Sequence, residues 1–513
     1  MLRSFRIVRS LLLLSGVVLA LTPLGGLANA PMGPTVLTVG GPTTGQAIAP
    51  GFLGLSLEYS ALPAYAGSDP SAIDPVFVQL IRNLAGGYPP QLRIGGYTTD
   101  ITWWQAPGLA RPAGVSYDLT RRWIAVTRAL AAALGARLIL GINLEADSAT
   151  VAAVEAKVLL AGIGRGRVEA LELGNEPDLY GLFTWGVSTT TGRPPGYDFA
   201  AFDNDVTRIA RMLPNVPLAG PSLAGVGIGA HNWFQYVGRF LSDQPRMAVA
   251  TVHRYPLQLC YVAPGQPDYP TIANLLAPTA SHLLAASVAG AVEAAHAHRI
   301  PLRVDEMNTN SCGEDPAVTD SFASALWVLD ALFSMASVGV DGVNIHTYPG
   351  AGTSLFGFHR VGGQWRGVVQ PEYYGLQMFA QATPAGSRLL RVSPTGIRHL
   401  EAWATRALDH TIRIVVINES SRVRAVAVRG DAAVGAATLE RLEAPSLFAR
   451  QGVTLAGQSF GASTETGLPA GPLRSRKLTR TAGDYKFSVP AGSAAMLTLP
   501  PSSGSTSRTA SSG

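Results

Sequence analysis

Two glutamates sit where a short apolar run gives way to polar residues: Glu176 in Leu171-Glu172-Leu173-Gly174-Asn175-Glu176-Pro177, and Glu306 in Leu302-Arg303-Val304-Asp305-Glu306-Met307-Asn308. A pair of carboxyls can cut a glycosidic bond. One attacks the anomeric carbon while the other protonates the departing oxygen, and retention of configuration places the two about 5–5.5 Å apart. Asn175, beside Glu176, is placed as a donor to a sugar 2-hydroxyl, a bond that strengthens as the transition state gains oxocarbenium character. Asp305 is a second carboxyl at the later position. Strand parity puts it on the face opposite Glu306, but both faces of a barrel strand are buried, so parity leaves the two open. Two carboxyls and water complete such a reaction without a cofactor. The cysteine and histidine spacing shows no zinc pattern, so no metal is expected.

Carboxyls on distant stretches of chain need a frame that brings them together. From Phe52 to Tyr348 short β-rich runs alternate with longer Ala/Leu-rich stretches, the pattern of a parallel (β/α)8 barrel. Eight strands are predicted: Phe52–Leu57, Gln91–Ile94, Arg137–Ile142, Val168–Leu173, Pro217–Ala219, Ala248–His253, Pro301–Asp305 and Gly342–His346. Helices are clearest at Tyr117–Leu134, Ala152–Leu160, Thr279–His298 and Val318–Ser337. Polar residues directly after such strands carry function. Here they include Glu58, Asp100, His253-Arg254-Tyr255 and His346-Thr347-Tyr348. Strands four and seven of a closed barrel face each other across its mouth, which would bring Glu176 and Glu306 together. After Pro384 the runs become short, β-prone and separated by Gly, Asn, Ser and Pro, the pattern of an all-β sandwich. The predicted organisation is a barrel over 51–384 and a β-sandwich over 385–500, joined by a strand from 31–50, with a disordered tail at 501–513.

Hydrophobic residues make up 47% of the chain and charged residues 14%, which calls for a large buried core rather than global disorder. The net charge of +5 invites a nucleic-acid reading, yet Arg3, Arg6 and Arg9 supply three of those charges within an acid-free leader. They precede the apolar run Leu11–Leu21 and small residues at Gly26, Ala28 and Ala30, the order of a secretory signal over residues 1–30. That run is too short to span a bilayer, so the mature protein is expected to be secreted, with no integral membrane span. The two cysteines, Cys260 and Cys312, read in an oxidising compartment as one disulfide.

The ordered set Leu92-Arg93-Ile94-Gly95-Gly96, Leu173-Gly174-Asn175-Glu176-Pro177 and Glu306-Met307-Asn308 resembles glycoside hydrolase family 79, the β-glucuronidase and heparanase family of clan A. The resemblance covers most of the chain, because that family also carries a C-terminal β-sandwich that takes in an N-terminal strand. It implies that Glu176 is the acid/base and Glu306, two residues before Asn308, the nucleophile, with Asp305 a partner for Arg303 or Arg93. Glu58 and Asp100 resemble positions that bind sugar hydroxyls. Tyr255 stands where clan A enzymes hold the nucleophile through a hydroxyl. Family β-glucuronidases grip the uronate with a tyrosine and a glycine backbone in the loop after the nucleophile. Gly313 is retained here, whereas Ser311 occupies the tyrosine position. Together with Tyr348, these are the expected contacts with a carbohydrate or glycoside partner. A disulfide between Cys260 and Cys312 would tie the sixth and seventh loops together over the pocket.

The resulting expectation is a secreted retaining β-glycoside hydrolase, β-glucuronidase-like. A second reading keeps the carboxylates but changes the pocket, giving a β-xylosidase, β-glucosidase or endo-glycanase. A third is a non-catalytic carbohydrate-binding protein on a degenerate barrel, against which both glutamates and Asn175 argue. Nucleic-acid binding finds no basic cluster with interleaved aromatics outside Arg474–Arg480, which reads as a solvated loop.

Overall fold

The computed structural model describes residues 33–43, 45–225, 232–430 and 435–501, so the leader at 1–30 and all of the tail but Pro501 lie outside the described residues. Eight parallel strands close into a barrel: Leu53–Glu58, Gln91–Gly95, Arg137–Ile142, Val168–Leu173, Leu218–Leu223, Met247–Arg254, Leu302–Met307 and Gly342–Thr347. The ring closes where Val343 pairs with Leu53. Ile139, Ala170, Ala219 and Val249 meet as a small cluster, one residue from each of four adjacent strands. Two alanines set between the branched Ile139 and Val249 suit the crowded interior of a barrel.

Helix boundaries follow local chemistry. The helix Pro75–Ala85 starts on Asp74, whose side chain accepts from the Val76 and Phe77 amides, and ends at Gly86 in the left-handed conformation. The helix expected from Tyr117 begins instead at Arg121, because Thr120 caps it and Tyr117–Asp118 pairs with Thr102–Trp103. The stretch Val318–Ser337 divides into Pro316–Thr319 and Phe322–Ser337, and Thr279–His298 into His282–Ala286 and Ala289–Ala297. The fifth strand runs beyond Ala219 through Gly220-Pro221-Ser222, a sequence without a β pattern, and so delivers Ser222 to the barrel interior.

The C-terminal strands form one continuous ten-stranded sheet that curls, rather than two detached sheets. Leu37, Leu390, Val426, Leu439, Phe487 and Leu497, from strands all along its path, share one core. Only a sheet folded back on itself can bring them together. Within that sheet Thr35–Pro42 runs between Arg388–Ser393 and Arg424–Gly430, antiparallel to the first and parallel to the second. In Ile412–Asn418, Ile414 and Val416 enter the curl while Val415 and Ile417 join the barrel's core, the period-two alternation of a strand covered on both faces. The helix Phe322–Ser337 is buried from Phe322 to Met335, which explains its lack of a polar face. Across this seam Trp403 stacks on Phe333 and donates to Asp330 at 2.7 Å.

Candidate active site

Strand two carries Arg93 into the middle of the barrel mouth, where it is fully buried. Its Nε donates to Glu172 at 2.8 Å, Nη1 to Glu306 at 2.6 Å and to Ser56 at 3.2 Å, and Nη2 to Asn175 at 2.8 Å and to Ser222 at 3.3 Å. A guanidinium offers five N–H donors in a rigid fork, and this one is engaged on every side. Burial works against its charge, but Glu172, Asp305 and Glu306 hold it well above the ordinary arginine range.

The seventh strand bulges at Asp305. Val304 pairs with Val252 and Glu306 with the next residue, His253, so one residue is left over. A bulge of this kind re-aims side chains beside a site, and here simple parity fails to separate the two carboxyls. Asp305 stays fully buried against Arg93 at 3.6 Å and His253 at 3.5 Å, outside the lining of the cavity. Burial and the neighbouring Glu172 push its carboxyl well above the usual range, against the pull of Arg93 and His253. Arg303, the other partner considered for it, bonds instead to Asn344 and to the carbonyls of Gly51 and Phe52.

Glu306 does line the cavity. Besides Arg93 it accepts from the Tyr255 hydroxyl at 2.6 Å. Burial favours its neutral form, yet His346, His253, Arg93 and Tyr255 together outweigh burial and hold it far below the usual carboxylate range. It is therefore ionised at any ordinary pH.

Glu176 follows Gly174, which has φ +80°; a Cβ there would collide with the Tyr180 hydroxyl and Leu144. Glu176 itself adopts the left-handed conformation, φ 51° and ψ 53°, unusual for a residue with a side chain. Its amide donates to the Ser222 carbonyl at 2.9 Å, which anchors the turn. The side chain lies 3.0 Å from His253 Nδ1 and is 25% exposed against 9% for Glu306, so it is the carboxyl that water can reach. Carboxyl oxygens of Glu176 and Glu306 lie within 4.8 Å of each other and of a His253 ring nitrogen.

His253 is fully buried, with Nε2 3.0 Å from Ser222 Oγ. Burial opposes its protonation, but Glu306, Asp305 and the bond to Glu176 push it up to about 9. The Glu176-His253-Glu306 trio has the spacing of a cation site. A metal would need a lone pair that the protonated imidazole does not offer. The trio is thus arranged to share and move a proton.

The remaining expected residues divide. Asn175 lines the cavity; Arg93 binds its Oδ1, which leaves its NH2 for the cavity. Glu58 also lines it, held by the Tyr97 and Thr98 amides at 3.0 and 2.7 Å and by the Thr98 hydroxyl. Burial and Glu306 raise its pKa, against the pull of His346. Asp100 is placed differently from expectation. Its oxygens accept from the amides of Leu144, Glu145 and Asn175 and from the Tyr180 hydroxyl, so it clamps the Asn175 backbone and does not reach the cavity. Tyr255, Ser311, Gly313 and Tyr348 all line it. The Cys260–Cys312 disulfide is formed and joins the sixth and seventh loops, supported by the Leu259 amide donating to the Cys312 carbonyl at 2.7 Å. The cavity has a volume of about 740 Å³, within the range of small-ligand sites. The sequence pointed to His253 and His346 only as strand-end residues and assigned them no role, and the hub role of Arg93 was not read from it.

A model of the glycosyl hydrolase family 79 C-terminal beta domain matches residues 402–496. The β-glucuronidase of Aspergillus niger is 24% identical over 504 residues, spanning 87% of this chain and 90% of that protein. The β-glucuronidase of Neurospora crassa is 27% identical over 330 residues, and this chain spans 56% of its length, little more than half. In fold, the chain is similar to the crystal structure of a 4-O-α-L-rhamnosyl-β-D-glucuronidase from Fusarium oxysporum, with TM-score 0.69 and 21% identity over 90% of this chain and 100% of that one. A GH51 arabinofuranosidase from Xanthomonas axonopodis follows at TM-score 0.62 and 16% identity, covering 90% and 99%.

Proposed function

We propose that this chain, whose residues 402–496 match the glycosyl hydrolase family 79 C-terminal beta domain and which is similar to two β-glucuronidases, is a secreted, retaining β-glycosidase acting on β-glucuronides, with Glu306 as nucleophile and Glu176 as acid/base. The observation that carries this reading is the close approach of two carboxyls in opposite roles. Glu306 is ionised and oriented by Arg93 and Tyr255, and Glu176 is the reachable partner within 4.8 Å. That separation suits direct attack on the sugar and leaves no room for a water between carboxyl and anomeric carbon, as inversion requires.

In the first step Glu306 attacks the anomeric carbon while Glu176 gives its proton to the departing oxygen. The same Glu176, now ionised, faces the charged Nδ1–H of His253, which stabilises it until a water arrives. Glu176 then takes the water's proton, and the hydroxide displaces Glu306 from the sugar. The NH2 of Asn175 is the donor for the 2-hydroxyl. Secretion is supported by the leader sequence and by the disulfide, a bond of oxidising compartments. Among the described residues no helix is long and apolar enough to cross a membrane.

The glucuronide assignment draws on the two β-glucuronidases to which the chain is similar. A second reading, another clan A β-glycosidase, is favoured by Ser311 at the position where a uronate-gripping tyrosine would stand. Nitrophenyl β-glycosides of glucuronic acid, glucose and xylose distinguish the two. Glucuronide turnover should exceed that of the neutral sugars, and a faster glucoside would favour the second reading. Glu306→Ala and Glu176→Ala should each lower kcat by about 10²–10⁴ or more. Azide should rescue Glu306→Ala with an α-glycosyl azide as product, whereas full activity in Glu306→Ala would sink the mechanism.

A further inference from the structure

Arg254 follows His253 on the sixth barrel strand and lines the same cavity. Its surroundings differ from those of the other deeply placed arginines. Arg93 is ringed by carboxylates, and Arg303 is bonded to an amide and two carbonyls. Among the described residues Arg254 makes a single hydrogen bond, from Nε to Ser287 Oγ at 2.9 Å, and no carboxylate there lies within ion-pairing distance. Neither of its terminal NH2 groups has a partner among the described residues, so both can meet a ligand. Burial pushes this guanidinium down to about 10, which leaves it cationic at neutral pH. A half-buried cation with no counter-charge among the described residues gains from a bound anion.

Its position fixes which part of a substrate it meets. A Cβ on Gly225 would stand 3.2 Å from Arg254 Nη1. The amides of Ala224 and Gly225 bind the Asp178 carboxylate, two residues beyond Glu176, and the Glu176 amide binds Ser222. Arg254 therefore stands on the wall that carries Glu176. In the reaction proposed above, on which this inference rests, Glu176 protonates the departing oxygen, so that wall faces the leaving group. The other charged side chains around the cavity are mainly carboxylates, including Glu58, Asp268 and Glu314. We propose that Arg254 is a specificity residue for the leaving group, selecting glycosides whose aglycone or following sugar carries a carboxylate or sulfate close to the scissile bond.

The test uses paired substrates with equal leaving-group chemistry, 4-(carboxymethyl)phenyl and 4-(carbamoylmethyl)phenyl β-glycosides, built on whichever sugar the wild type cleaves fastest. The wild type should favour the carboxylate by about tenfold in kcat/KM, mostly through KM. Arg254→Gln should bring that ratio towards one, and Arg254→Lys should keep part of it. A wild-type ratio near one, or a preference that survives Arg254→Gln, overturns the inference while leaving the hydrolytic reading intact. Calorimetric titration with free 4-hydroxyphenylacetate and with its amide covers the case in which no glycoside is cleaved. Tighter binding of the acid that disappears in Arg254→Gln would then support the anion site although the proposed function had failed. Equal binding would overturn both.

Discussion

The floor of the cavity and its rim are held by different forces. At the floor, Arg93 gathers Glu172, Glu306, Asn175, Ser56 and Ser222 into one buried network, and His253 and Tyr255 close it from the sixth strand. At the rim, the loop bearing Ser311 and Gly313 is secured by the Cys260–Cys312 bond and a few main-chain hydrogen bonds. A network of buried charges cannot lose one member without stranding the others. A covalent tie fixes two loops but imposes little on the side chains between them. Changes at the floor should therefore disturb ionisation and chemistry together. Changes at the rim should move affinity and sugar preference while the reacting groups remain poised.

The sharpest contrast comes from Arg93→Ala, which leaves Glu172 and Glu306 buried without their cation. Unfolding free energy should fall by about 3–5 kcal/mol and activity should vanish, read by chemical denaturation and nitrophenol release. A stable, active Arg93→Ala protein would remove the electrostatic account of the floor.

Next in size is the alkaline limit set by His253. Its folded value, about 9, lies above its ordinary 6.5, so its contribution is complete below about pH 6.5 and is lost as pH rises through about 9. Denaturation of the wild type should show stability declining across pH 7–10, and His253→Asn should flatten that slope. Parallel slopes in the two proteins would show that His253 carries no such charge.

Removing the rim's tie with Cys260→Ser/Cys312→Ser should cost about 2–4 kcal/mol in stability and raise KM more than it lowers kcat. If kcat fell with KM unchanged, the disulfide would belong to the chemistry of the floor. The smallest effect is expected of Ser311→Tyr, which places a phenol beside the retained Gly313. It should raise the ratio of glucuronide to glucoside turnover several-fold with Tm nearly unchanged, about 1 kcal/mol of discrimination. An unmoved ratio would detach uronate recognition from this loop.

Much of this division was legible in the sequence, for physical reasons. The eight βα units showed because buried parallel strands leave apolar runs and surface helices leave a 3.6-residue period. The glutamate turn showed because Gly174 and Asn175-Glu176-Pro177 mark a backbone that only certain residues tolerate. Elements whose periodicity was hidden fared worse. The fifth strand runs through Gly220-Pro221, and the hairpin Phe356–Val361 with Gln364–Val369 has little alternation to betray it. The role of Asp100 was obscured for a different reason. A carboxylate at a strand end looks the same in sequence whether it faces a ligand or, as here, caps three amides. The bulge at Asp305 was invisible because one surplus residue in a strand leaves no compositional trace.

The strand Thr35–Pro42 finds both of its neighbours at the opposite end of the chain, in Arg388–Ser393 and Arg424–Gly430. During synthesis it emerges before the entire barrel yet must wait for nearly all of it before it can pair, a contact of extreme sequence separation. Until then its edges stay open, and the apolar residue Leu37, buried in the finished sheet, is uncovered. A chain cut short within the β domain would therefore leave an orphan at its front as well as a gap at its back. The C-terminal sheet thus acts as a check on its distant partner, because it can close only on a polypeptide that has retained the strand Thr35–Pro42.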